Sequence, residues 1–216
     1  HSRRASLARA TQRQTARQLA ATRKSLQRLL EERCPAAWRR LPAVQSALAA
    51  TWFELEDFAQ ARSAYLAAIQ AEDGAGRVPI RDIEQLANAE ARLGETTDKL
   101  ELIDSALDRL QKLEELLASH AEAATSNSER RALCGSAAKR KASLSAKRVL
   151  ESPAGEARDE AITAMNAALA QSAEFYAQGE GKPGDAAFRP YNALNRLAIA
   201  ALLGPANEAE RLASVD

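Results

Sequence analysis

The chain has 216 residues, of which 50 are alanine and 27 are leucine, while valine, isoleucine and threonine together number 18. Alanine and leucine favour helices and β-branched residues favour strands, so this composition excludes a β-sandwich, a β-barrel and most doubly wound folds. Charged residues make up 27% of the chain and are balanced at 30 basic and 29 acidic, which argues against a wholly disordered chain.

Glycine, proline and capping residues divide the sequence into helical segments. The clearest breaks fall at Cys34-Pro35, at residues 73–76, at residues 152–155 and at Gly204-Pro205. Between the breaks we predict about nine helices in antiparallel pairs. They cover residues 5–33, 42–54, 58–72, 80–93, 97–119, 128–149, 156–178, 190–203 and 206–214.

Positive charge is concentrated in the first predicted helix. Residues 1–41 hold eleven arginine and lysine residues and only two glutamates, an asymmetry that indicates nucleic acid, a membrane surface or an acidic partner. No aromatic residue that could stack on a base lies between Arg3 and Arg33, so a cap for a repeat array, or a linker, is favoured over nucleic-acid binding. The candidate basic contact residues are Arg9, Arg13, Arg17, Arg23, Lys24 and Arg28.

The segment that begins at Pro42 has the spacing of a 34-residue tetratricopeptide repeat. Its first helix places a large residue beside a small one, at Leu48-Ala49, and an aromatic residue, Trp52, follows three positions after the small one. The second helix carries alternating aromatic and small residues at spacings of three, four and three. These residues are Phe58, Ala61, Tyr65 and Ala68.

The same frame fits three later segments through their paired large and small residues. These pairs are Leu86-Ala87, Cys134-Gly135 and Leu197-Ala198, with frames that start near residues 80, 128 and 191. The frame spacings exceed 34 residues, so we expect long helices or inserted loops. The predicted fold class is all-α: a tetratricopeptide-like helical-hairpin solenoid of about four irregular repeats over residues 42–216, preceded by a long basic helix over 1–41. The alternative is an irregular helical bundle.

Residues with catalytic or metal-binding chemistry are sparse. The two histidines, His1 and His120, have no metal-ligand spacing around them. Ser136 and Lys139 match a serine–lysine motif but lack its companion elements, and residues 179–182 lack the spacing of a phosphate-binding loop. We therefore predict no catalytic residue, no metal, no cofactor and no enzyme activity.

The cysteine count and the hydropathy pattern bear on the compartment. Cys34 and Cys134 are too few for a disulfide framework, so we expect two reduced thiols in a cytoplasmic protein. No apolar run reaches the ~18–20 residues of a membrane span, and no membrane contact is expected. The chain begins at His1-Ser2 without methionine, and we expect it to be a piece of a larger polypeptide.

Polar residues on the first helices form a candidate ligand site, because the first helices of stacked repeats line a concave surface. Amides and guanidinium groups together suit an anionic ligand with planar or carbonyl features. The alternative is that these side chains cap helices and satisfy backbone groups. The candidate ligand-binding residues are Asn88, Arg92, Ser136, Lys139, Arg140, Asn192 and Asn195.

Three strings, at residues 85–94, 133–140 and 190–197, look like landmarks of one family. Residues 42–204 resemble the bacterial tetratricopeptide sensor region, which is related to the TRAF-binding repeat region of the MAP kinase kinase kinases of apoptosis signalling. The glycine-serine-alanine-x-lysine-arginine string at residues 135–140 is the most specific part of the resemblance.

The resemblance implies a partner and a signal. In that family the repeats are joined to effectors such as CHAT caspase-like proteases, trypsin-like proteases or TIR domains, and a nucleotide-derived ligand is one candidate signal. We therefore predict a non-catalytic sensor or docking module that regulates an effector in a bacterial stress or anti-phage conflict system. The alternatives are a scaffold that binds a partner peptide in its groove and a nucleic-acid-associated protein that uses the basic helix.

Overall fold

A computed structural model of the chain describes residues 2–73, 78–118 and 127–204, with the side chains of 14–71 in the first of these ranges. These residues are almost entirely helical, and none of them lies in a strand. The helices are α1 (Ser2–Arg33), α2 (Ala36–Arg39), α3 (Pro42–Glu54), α4 (Phe58–Asp73), α5 (Ile80–Thr96), α6 (Leu100–Leu117), α7 (Asn127–Glu151), α8 (Glu156–Glu180) and α9 (Pro190–Leu203).

The predicted all-α class of tetratricopeptide-like helical hairpins is confirmed. Each predicted helix from 5–33 to 190–203 is present, with ends that differ by no more than three residues. α2 was not predicted; it is a single turn with Pro35 as its N-cap, and the Pro35 carbonyl accepts hydrogen bonds from the Trp38 and Arg39 amides. The expected long helices are α7 and α8, with 25 residues each. The predicted helix over 206–214 lies outside the described residues.

The chain divides into two compact units, residues 1–89 and 90–216, with the boundary inside α5. In the first unit, α3 and α4 form a hairpin whose core joins Ala49 to Ala64 and Tyr65. Leu26 and Leu30 of α1 pack against the cluster around Trp52, so this part of α1 contacts the hairpin.

The second unit is centred on the hairpin of α7 and α8, against which α9 packs. Its core contains Tyr176, whose ring lies so close to Gly135 that a Cβ atom there would be 2.8–2.9 Å from three ring carbons. The Ser172 hydroxyl donates to the Gly135 carbonyl at 2.6 Å. Glycine therefore permits the close contact of α7 and α8 that the small position of the repeat requires.

Two buried ion pairs join further helices of the second unit. Glu90 of α5 is fully buried and pairs with Arg109 of α6 at 3.2 Å. Glu180 at the end of α8 accepts two hydrogen bonds from Arg196 of α9, at 2.5 and 3.1 Å. Because each carboxylate accepts hydrogen bonds from the Nε and one terminal nitrogen of the arginine, these pairs also fix the relative orientation of their helices.

Both cysteines are free thiols. Cys134 is buried in α7, and burial raises the pKa of its thiol to about 12, so it stays protonated and unreactive near neutral pH. In the described part of the chain, no helix combines the length and apolar character needed to cross a membrane.

Candidate functional site

Polar and aromatic side chains from four helices meet along one strip of the second unit. The first helices α5, α7 and α9 supply most of them, and α8 supplies one tyrosine. We call this surface the polar strip. It comprises Arg92, Glu95, Ser136, Lys139, Arg140, Tyr176, Tyr191 and Asn195.

Arg140 is the centre of the polar strip. Its side chain is 15% exposed, and its Nε lies 3.3 Å from Glu95 Oε2 without the geometry of a hydrogen bond. Its NH1 makes a long contact of 3.4 Å with the Ser136 hydroxyl. Burial lowers the pKa of Arg140, Glu95 opposes that shift, and the positive charge of Arg92 adds to it. A desolvated cation is thus held by contacts that are weaker than usual for a guanidinium.

Lys139, which follows Ser136 in α7 and precedes Arg140, makes its contacts with α8 and α9. Its Nζ donates to Asn195 Oδ1 at 2.8 Å and lies 5.9 Å from the centroid of the Tyr176 ring. Asn195 in turn donates to the Tyr191 carbonyl at 2.9 Å. These contacts connect α7 to α9, so a change at Lys139 reaches the last helix directly.

Two tyrosines, Tyr176 and Tyr191, complete the polar strip. The rings of Tyr176 and Tyr191 meet edge to face, with centroids 6.2 Å apart. Tyr176 is fully buried, and its hydroxyl lies beside Tyr191 and Ser136 without a well-formed hydrogen bond. Burial raises the pKa of Tyr176, so its hydroxyl is a neutral donor. Tyr191 is 58% exposed and offers an aromatic face to solvent.

The strip therefore combines desolvated positive charge, a buried hydroxyl donor and an exposed ring. Carboxylates and phosphates are the groups that arginine binds through paired hydrogen bonds. Glu95 is the acidic group at Arg140, and its side chain is 37% exposed. An anion of higher charge could replace Glu95 as the partner of Arg140.

Five of the seven predicted ligand residues lie in the polar strip, and two do not. Asn192 is 2% exposed, and its amide donates to the Gly179 carbonyl at 2.7 Å and contacts Ser128. This placement favours the structural alternative for Asn192, which joins the ends of α7 and α8 to α9. Asn88 is half-buried in the first unit and is described there alone.

The predicted basic contact helix is described only in part. The side chains of Arg9 and Arg13 lie outside the described residues. Arg17 and Lys24 are exposed, and Arg28 pairs with Glu32 at 2.7 Å. Arg23 turns inward and donates from two nitrogens to the Leu55 carbonyl, at 2.8 and 2.5 Å. Arg23 thus ties α1 to the turn between α3 and α4.

The geometry gives the serine–lysine pair no catalytic arrangement. Ser136 receives its contact from Arg140, and Lys139 is engaged with Asn195 rather than with Ser136. Within the described ranges, no group of three or more histidine, cysteine, aspartate or glutamate side chains could hold a metal ion.

Sequence reasoning missed three members of the polar strip: Glu95, Tyr176 and Tyr191. Glu95 follows Arg92 by three positions, so its place on the same helix face was open to prediction. Tyr191 directly precedes Asn192 at the start of the fourth frame. Tyr176 had no such signal, because only the contact with Gly135 brings it to the strip.

Comparison with known proteins agrees with this repeat architecture. The profile of the Tetratricopeptide Repeats-Sensor family matches residues 57–202. No curated protein and no solved structure gave a significant match. The matched region spans about two thirds of the chain and contains the whole polar strip. Tetratricopeptide-type repeats are in general non-catalytic modules of protein interaction. The chain belongs to the Tetratricopeptide Repeats-Sensor family.

Proposed function

We propose that this sensor module recognises an anionic ligand at the polar strip and thereby regulates an effector. The effector is carried in the same polypeptide or by a partner protein. We further propose the setting of a bacterial stress or anti-phage conflict system, with a protease-like or TIR effector. We also propose that these repeats are related to the TRAF-binding repeat region of the MAP kinase kinase kinases.

The state of Arg140 is the observation that carries the proposal. A guanidinium that is 15% exposed has lost most of its hydration, yet its contacts to Glu95 and Ser136 are 3.3 and 3.4 Å long. A buried charge with incomplete hydrogen bonding costs free energy, which an anion with short hydrogen bonds would recover. Arg92 raises the positive potential at the same point, which favours a dianion over a monoanion.

Lys139 connects the proposed ligand site to α9. Lys139 and Arg140 are adjacent in α7, and Lys139 is bonded to Asn195 of α9. An anion that draws Lys139 away from Asn195 would remove one of the contacts that fix α9 on α7. We propose that this shift of α9 is how occupancy is passed to the effector.

The test is titration calorimetry of the chain with inorganic phosphate, pyrophosphate and adenosine diphosphate. At least one probe should bind, and Arg140→Ala should weaken that binding tenfold or more, since a charge-assisted contact contributes about 1.5–3 kcal/mol. Arg148→Ala is the matched control, because Arg148 is an exposed arginine of the same helix outside the strip. Equal binding by Arg140→Ala and the wild type would refute the site.

A scaffold that binds a partner peptide is the second candidate function. The observation in its favour is separate from the polar strip: α9 exposes a row of large apolar side chains. Nucleic-acid binding through α1 stays a prediction, and Arg17, Lys24 and Arg28 are exposed members of the predicted basic set that would serve it.

A further inference from the structure

The first unit contains a cavity of about 360 Å³ between α1, α2 and the hairpin of α3 and α4. It shares no residue with the polar strip. We call it the α1 cavity. Its volume lies near the lower end of the ~300–1,000 Å³ that small-molecule sites occupy, so it suits a ligand of amino-acid to dipeptide size. The lining residues used in the argument are Arg23, Leu30, Arg39, Leu48, Trp52 and Gln60.

Arg39 lines the α1 cavity with an incompletely bonded guanidinium group. Its Nε is buried and has no hydrogen-bond partner, and no carboxylate of a described residue forms an ion pair with it. Its backbone is fixed, because the Arg39 amide donates to the Pro35 carbonyl at 3.1 Å and the Arg39 carbonyl accepts from the Gln45 side chain. A buried guanidinium donor without an acceptor costs free energy, which a ligand carboxylate would recover.

Arg23 supplies a second positive charge to the cavity. Its Nε and NH2 both donate to the Leu55 carbonyl, at 2.8 and 2.5 Å. The acceptor is a neutral carbonyl and not a carboxylate, so these bonds hold the guanidinium in place without neutralising it. Arg23 therefore adds to the positive potential that an anion in the cavity would meet.

Two carboxylates also line the cavity, and each accepts a hydrogen bond from another group. Glu31 is exposed and accepts from the Gln27 side chain at 3.2 Å. Asp57 precedes α4 and accepts from the Gln60 backbone amide at 3.2 Å, as an N-cap residue does. Two positive and two negative groups leave the lining without net charge. Such surroundings suit a single negative charge on the ligand better than two.

The remaining lining residues indicate what else the ligand carries. Leu30, Leu48 and Trp52 are apolar and suit a hydrocarbon group. The side chains of Gln60 and Ser63 are exposed and make no hydrogen bond within the described part of the chain. An amide and a hydroxyl both donate and accept, so they complement an amide group of a ligand.

We propose that the α1 cavity binds a small monocarboxylate that also carries an amide group and an apolar side chain, with Arg39 as the partner of the carboxylate. An N-acyl amino acid has this chemistry, and so does the carboxyl end of a peptide. Because backbone and side-chain hydrogen bonds already hold Arg39 and Arg23, binding requires little ordering of the site. This inference does not depend on the polar strip binding an anion.

The experiment uses the full chain and the fluorescence of Trp52. The chain has two tryptophans, of which Trp52 lines the cavity and Trp38 is 62% exposed, so a Trp38→Phe background isolates the signal of Trp52. N-acetyl-leucine should give a saturable change. N-acetyl-leucinamide, a neutral analogue of the same size, should bind at least tenfold more weakly, because it lacks the charge-assisted contact.

Variants in the Trp38→Phe background locate the binding. Arg39→Ala should weaken the binding of N-acetyl-leucine at least tenfold, whereas the matched control Arg40→Ala removes an adjacent exposed arginine outside the cavity and should leave it unchanged. Ala67→Leu should also weaken binding, because it fills part of the cavity without altering either arginine. Circular dichroism verifies that each variant folds.

The comparison of ligands separates the two sources of the carboxylate. Equal affinity for N-acetyl-leucine and acetyl-Gly-Gly-Leu assigns the site to a free small molecule, whereas at least tenfold tighter binding of the longer peptide assigns it to a chain end. Absence of a saturable change, equal binding by Arg39→Ala and Arg40→Ala, or preference for the neutral amide would overturn the proposal. Arg140→Ala should leave this binding unchanged, so this test and that of the polar strip fail separately.

Discussion

Replacing Gly135 with alanine would place a Cβ atom 2.8–2.9 Å from three carbons of the Tyr176 ring. Such distances are shorter than van der Waals contact, and the ring has little freedom to move because Tyr176 is fully buried. Overpacking of this kind costs about 1–3 kcal/mol. Alanine recovers about 0.5–1 kcal/mol of helix propensity. We expect a net loss of about 1 kcal/mol, or a fall in Tm of roughly 2–4 °C for a chain of this size.

Urea unfolding followed by circular dichroism measures this loss, and a double-mutant cycle identifies its cause. In a Tyr176→Ala background the clash is absent, so Gly135→Ala should become stabilising by about 0.5–1 kcal/mol. A stabilising effect in the wild-type background, or the same loss in both backgrounds, would refute the argument that glycine is required for the contact of α7 with α8.

Three further predictions follow from burial. Iodoacetamide at pH 8 should modify Cys34 and spare Cys134, whose pKa is raised to about 12, and rapid labelling of Cys134 in peptide mass maps would contradict this. Burial raises the pKa of Glu114 above 4.5, so its stabilising effect is complete below pH 4.5 and lost as pH rises through the raised pKa. The wild type should therefore gain stability relative to Glu114→Gln as pH falls through that window, and parallel melting profiles would refute the shift. Asn192→Ala should cost about 1–3 kcal/mol in urea unfolding because it removes a buried donor to the Gly179 carbonyl, with phosphate binding unchanged; reduced binding at unchanged stability would return Asn192 to the ligand site.

Helix bounds were open to prediction because their signals are local. α3 and α9 begin at Pro42 and Pro190, and a proline at the first helical position is a recognisable start. The small residues of the repeat frames could also be identified from the sequence, because close contact between helices requires them. The lengths of α7 and α8 were predicted to within three residues, because the breaks at residues 152–155 and after residue 178 bound them, and the wide spacing of the frames agrees with helices longer than those of a standard repeat.

The sequence predicted which residues of the first helices form the candidate site, but it did not predict the contacts between them. Lys139 and Asn195 are 56 positions apart, and nothing local in the sequence pairs them. Asn192 and Asn195 are three positions apart on one helix and look equivalent in the sequence. In the structure, Asn192 is buried and its amide joins helix ends, whereas Asn195 is less buried and lies in the polar strip. Packing decides such assignments, and packing depends on all the helices together.

The proposed role of Arg140 is tested most directly in the host cell, by the output of the effector in an Arg140→Ala variant. Its melting temperature is measured in parallel, and the exposed-arginine variant Arg148→Ala serves as control. We predict that Arg140→Ala abolishes the effector response while its melting temperature stays within about 4 °C of the wild type, since the packing lost with this mostly buried side chain is partly offset by removal of a buried charge with incomplete hydrogen bonds. A normal response in Arg140→Ala would contradict the claim that the polar strip senses an anionic ligand, and a response lost together with melting stability would assign Arg140 to holding α5 and α7 together.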